Sequence, residues 1–93
     1  MKHAGTGALD RLEPLLKEIR KRESLKEKSR GTFYRAGRAF LHFHEHGVDR
    51  FFADIRLAGD EFDRLDVSTS VQRKMLLRLI DSSLVEGKSR ASR

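Results

Sequence analysis

The chain has 93 residues, a net charge of +6, and nearly equal charged (37%) and hydrophobic (38%) fractions. That length and balance allow one lean core under a highly charged surface. It has no cysteine, which excludes disulfides, thiolate chemistry and cysteine-ligated zinc.

Apolar runs stop at about three residues, far short of the roughly 18 that span a bilayer. The opening Met1-Lys2-His3-Ala4-Gly5-Thr6-Gly7 has no apolar stretch of signal-peptide type. The expectation is a soluble, cytoplasmic protein that does not engage membranes. Charge is unevenly placed: +6 over residues 1–38, −4 over 39–67 and +4 over 68–93. Any polyanion affinity is therefore expected from the ends of the chain.

In chain order, residues 1–8 are small and polar and are expected to form a disordered tail, followed by a single domain over residues 9–87. Glu13-Pro14 signals the first helix, because proline suits the first helical position. Leu12, Leu15, Leu16 and Ile19 give it an apolar stripe. Ser24 to Arg30 carries no periodicity and reads as a connector.

Gly31-Thr32-Phe33-Tyr34-Arg35 opens a sheet, and Ala36-Gly37-Arg38 turns the chain. A three-residue loop there places Phe33 opposite Leu41 on the buried face; a two-residue loop centred on Gly37-Arg38 places Tyr34 there instead.

The two central strands, Ala39–His46 and Phe51–Leu57, follow. Period-two alternation collects Ala39, Leu41, Phe43, Phe51, Ala53, Ile55 and Leu57, with Glu45, on one face. The other face receives Phe40, His42, His44, His46, Phe52, Asp54 and Arg56. Apolar residues share a face if Phe43 lies opposite Ala53 or opposite Ile55, but not in the slips between.

Phe62 to Val67 reads as a fourth strand with Leu65 and Val67 inward. Thr69 and Gln72 are spaced as a capping box, opening a helix with Val71, Met75, Leu76, Leu79, Ile80 and Leu84 as its stripe and Gly87 as its stop. Lys88–Arg93 is expected to be a basic, disordered tail. The fold class expected is α+β: helix, four-stranded antiparallel meander, helix, with both helices on one face of the sheet.

The open face holds the chemistry. His42 and His44 are two apart on a strand and point the same way, and either register sets Asp54 beside them. Two imidazoles and a carboxylate form a ligand set for zinc or another divalent transition metal. His3 reads separately, as a third-position histidine able to hold Cu(II) or Ni(II) together with a free amino terminus. Phe40 and Phe52 with Arg56 offer rings and cations of the kind that stack bases and track phosphates, or that a second subunit covers. Nucleophile elbows, glycine-rich phosphate loops and dinucleotide fingerprints are missing from the sequence.

The hairpin Phe33-Tyr34-Arg35 with Arg38-Ala39-Phe40-Leu41-His42-Phe43-His44-Glu45 resembles a string found in small uncharacterised bacterial α+β proteins. That resemblance implies a bacterial source and this fold, without an activity. The order of elements is similar to that of YjbR-type proteins, whose fold has been likened to DNA-binding modules.

The sequence therefore reads as a non-enzymatic binding module acting through Phe40, His42, His44, Phe52, Asp54 and Arg56. Its expected partners are a second copy in a homodimer, another protein, or nucleic acid bound non-specifically, with no cofactor. The alternative reading is a metal site, capable of metal-dependent catalysis, at His42, His44 and Asp54.

Overall fold

The longest strand, β4 (Arg38–His46), organises the sheet. A computed structural model describes residues 1–91, with side chains through Val85. Around β4 the chain forms β1 (Lys2–His3), α1 (Thr6–Arg20), β2 (Leu25–Ser29), β3 (Thr32–Arg35), β5 (Arg50–Ile55), β6 (Asp63–Asp66) and α2 (Ser70–Ala91). The strands make one open six-stranded sheet in the order β2-β3-β4-β5-β6, with β1 also on β4. Every pairing is antiparallel. Since β5 runs along one edge of β4, β3 and β1 share the other, β3 at its start and β1 at His44–Glu45.

Alternation along β4 and β5 sorts the residues as their hydropathy demands. Leu41, Phe43, Ala53 and Ile55 are buried in a single core with Ala8, Leu12, Leu15, Leu16 and Ile19 of α1, Phe33 of β3, Val67, and Leu76 and Ile80 of α2. The α+β class and the antiparallel meander hold, and β3 to β6 are the four strands expected. Phe43 lies opposite Ala53 and His42 opposite Asp54, the first of the two allowed registers.

Two strands differ from the sequence expectation. Leu25–Ser29 is an edge strand rather than a connector. Its inward positions are Leu25, which is buried, and Glu27, whose carboxylate takes the Arg20 Nε–H at 2.6 Å and the Gly31 N–H at 2.9 Å. An ion-paired glutamate in an apolar slot erases the hydropathy alternation by which a strand is recognised. The turn that follows requires Gly31, at φ 82°, where an added Cβ would sit 2.7 Å from Leu9 Cδ2.

At the amino end, residues 1–8 are structured rather than a loose tail. Lys2 and His3 pair with Glu45 and His44, Ala4 N–H donates to the Phe43 carbonyl at 3.1 Å, and Gly5 N–H donates to Glu45 Oε2 at 2.7 Å.

Pro14 therefore lies inside α1 instead of opening it. It forfeits one main-chain hydrogen bond, to the Asp10 carbonyl, at a cost of about 3 kcal/mol in a helix interior. Burial of Leu12, Leu16 and Ile19, all at 0% exposure, is worth roughly 1.5–3 kcal/mol each and outweighs it.

The first hairpin combines features of both registers considered. Arg35 faces Arg38 across a two-residue Ala36-Gly37 turn, with φ 50° and 81°, the doubly positive geometry of a type I′ turn. Tyr34 faces Ala39 but Phe33 faces Leu41, so Phe40 is an extra, bulged residue. The bulge moves Phe40 from the expected open face into the core, where it is 3% exposed.

The capping box forms, with Thr69 N–H donating to Gln72 Oε1 at 3.0 Å and Gln72 N–H to Thr69 Oγ1 at 3.2 Å. The apolar arc of α2 is wider than its contact: Leu76 and Ile80 are buried, whereas Val71 and Met75 are exposed. α2 continues through Gly87 to Ala91, so the expected stop is not used. The basic tail thus overlaps the end of this helix, and its last two residues, 92 and 93, lie outside the described residues. Among the described residues no helix is long and apolar enough to cross a membrane.

Candidate metal centre on the open sheet face

The face of the sheet away from the helices carries His42 and His44 of β4 and Asp54 of β5. Direct pairing of His42 with Asp54 is fixed by the Phe43–Ala53 register, so burying the apolar residues behind the sheet aligns the polar ones in front. Asp54 Oδ2 lies 3.0 Å from His44 Nε2 and 3.4 Å from His42 Nε2. One ligand atom from each of the three residues falls within 4.8 Å of the others. Donors held at about 2.0–2.1 Å by a tetrahedral zinc ion are roughly 3.3 Å apart, so this spacing fits such an ion without rearrangement of the strands.

His44 is the telling member. It is 9% exposed, yet neither ring nitrogen has a hydrogen-bond partner among the described residues. Its Nε2 is near Asp54 Oδ2, but off the line that a hydrogen bond requires. A buried imidazole left unpaired costs about 1–3 kcal/mol, and native structures rarely retain such a group without a use for it.

Neighbouring side chains set the electrostatics. Arg64 of β6 lies opposite Asp54 and grips it with two hydrogen bonds, Nε to Oδ1 at 2.8 Å and Nη2 to Oδ2 at 2.9 Å. Those bonds hold the Asp54 carboxyl below its usual range, against burial, with the Arg64 charge and the two histidines adding to the effect. His42 is pushed down from the usual imidazole value, first by burial; Asp54 opposes this, and His44, His3 and Arg64 reinforce it. A neutral imidazole and an ionised carboxylate are the forms that bind metal.

Phe62 closes one side, its ring 5.0 Å from that of His42 and edge-on, beneath the Arg56 guanidinium at 4.5 Å. On the other side His3 stacks on His44, with ring centres 4.6 Å apart.

Of the residues the sequence assigned to this face, His42, His44 and Asp54 come together. Phe52 is half-buried beneath the Arg50 guanidinium. Arg56 covers Phe62 and donates from Nε to the Ala39 carbonyl at 2.9 Å, and Phe40 is elsewhere. Phe62, Arg64 and His3 were not assigned to it. For Phe62 and Arg64 a signal existed: they are two apart, with parity opposite to the inward Leu65. For His3 there was none, since its placement depends on a strand of two residues.

In comparisons with known proteins the chain matches no family model, no curated protein and no solved structure.

Proposed function

We propose that the protein is a metal-binding module that holds one divalent transition-metal ion, zinc foremost, through His42, His44 and Asp54. The observation that carries this reading is the buried His44 ring, unpaired at both nitrogens among the described residues and 3.0 Å from a carboxylate oxygen. Two imidazoles and a carboxylate suit zinc, and Arg64 is the outer partner that fixes the carboxylate's orientation.

Docking of a macromolecule on the open face rests on its exposed rings. With Phe40 in the core and Phe52 half-buried, the histidine cluster carries the more distinctive chemistry.

A ligand that binds only the folded state stabilises it by mass action, by about 2.7 kcal/mol at a hundredfold excess over Kd. Zinc is therefore expected to raise the melting temperature of the wild type and to leave His42→Ala and Asp54→Asn unmoved. An equal rise in wild type and His42→Ala removes the proposal.

A further inference from the structure

We infer that His3 is the fourth ligand of this centre, so that metal binding clasps the N-terminal strand onto the sheet. The inference rests on the metal-binding reading above and adds to it a closed coordination shell and a mechanical consequence.

The register places it there. His3 lies opposite His44 across the β1–β4 pair, and residues directly opposite present their side chains to the same face. The His3 ring centre is 4.6 Å from that of His44 and 5.7 Å from that of His42, and the latter two are 5.0 Å apart. Imidazoles bonded through nitrogen to one tetrahedral ion have ring centres roughly 5 Å apart, given metal–nitrogen bonds of about 2.0–2.1 Å. The three ring centres already lie near that spacing. The ligand atoms of His42, His44 and Asp54 are within 4.8 Å of one another, and the His3 ring must turn out of its stack on His44 to add its nitrogen to them.

The anchoring differs among the ligands in a way that suits a clasp. His44 is buried and His42 is pressed by Phe62, so both rings are fixed. His3 is exposed and its ring is free to turn from stacking to coordination. Its backbone is held nearby, because Ala4 N–H bonds the Phe43 carbonyl and Gly5 N–H bonds Glu45 Oε2. Beyond these bonds β1 is only two residues long, too short to hold itself on the sheet firmly. An ion shared by His3 and the central strands adds a tie that a two-residue ladder lacks. Four protein ligands also leave no position for substrate or water, which is the arrangement of structural zinc rather than catalytic zinc.

The test is a zinc titration against a competing chromophoric chelator, using the full chain as wild type, His3→Ala and His42→Ala. Amide hydrogen exchange at Ala4 is followed with and without zinc. His3 is exposed, so its variant is expected to fold, and circular dichroism checks that it does. The inference expects one zinc per chain, a loss of affinity of tenfold or more in His3→Ala, and abolition in His42→Ala. Exchange at Ala4 slows with zinc in the wild type and not in His3→Ala. If His3→Ala binds as tightly as wild type while His42→Ala does not bind, the clasp is overturned and the three-ligand site stands. If zinc is lost in His3→Ala but kept in His42→Ala, the ion sits on the amino end alone and both ideas fail. No binding to the wild type removes both as well.

Discussion

Phe33 lies directly opposite Leu41, although two residues further on Arg35 lies opposite Arg38. Phe40 is the residue that absorbs this mismatch, and it enters the core as a result. Phe40→Ala is accordingly expected to cost about 3–5 kcal/mol, as a large-to-small change in a packed core does. Phe52→Ala, at a half-buried ring on the open face, is expected to cost less than half of that. Urea denaturation of the two variants checks the order; equal losses would return Phe40 to the open face.

The turn of the same hairpin stores strain. Ala36 adopts φ 50°, a left-handed conformation that costs a non-glycine residue roughly 1–2 kcal/mol and that asparagine tolerates. Ala36→Asn gives the Asn-Gly pair that type I′ turns favour. It is expected to stabilise the protein by about 1 kcal/mol, seen as a rise in melting temperature of several degrees. A fall in stability would argue against the two-residue turn.

Pro14 presents the same opportunity in α1. It is exposed and sits within the helix, so Pro14→Ala restores the bond to the Asp10 carbonyl without disturbing the core. Against this, the unfolded chain gains freedom worth up to about 1 kcal/mol. The expected net gain is about 2 kcal/mol by chemical denaturation. A loss would place the start of α1 at Pro14 after all.

Acid is expected to weaken the fold through its paired carboxylates. Hydrogen bonds from Arg20 and Arg30 lower the Glu13 pKa to about 2. Asp81 is lowered by Arg22, Asp54 by Arg64, and Asp66 by Ser68. Below their unfolded values the unfolded chain binds more protons than the folded one, so stability present above about pH 5 is lost as pH falls toward 2. Glu13 is only partly buried and salt screens such pairs, so Glu13→Gln should reduce this pH dependence most at low ionic strength. A melting temperature flat from pH 5 to pH 2.5 would contradict the pairings.

What the sequence determined by itself was whatever local periodicity encodes. Leu41, Phe43, Ala53 and Ile55 share a face because they alternate, and the same alternation puts His42, His44 and Asp54 together on the other. Thr69 and Gln72 likewise announced their capping box, because both partners lie within one turn of helix.

Tertiary structure decided the rest, wherever a residue's partner is remote. Glu27 is inward because Arg20 of α1 meets it, and Phe40 is inward because β4 carries one more residue than β3 between the Tyr34–Ala39 and Phe33–Leu41 pairs. His3 joins the histidines only because β4 outruns β3 and leaves an edge on which a two-residue strand can pair. Hydropathy reports whether a side chain prefers to leave water; which distant group it then meets is fixed only when the strands pair in register and the helices cover one face.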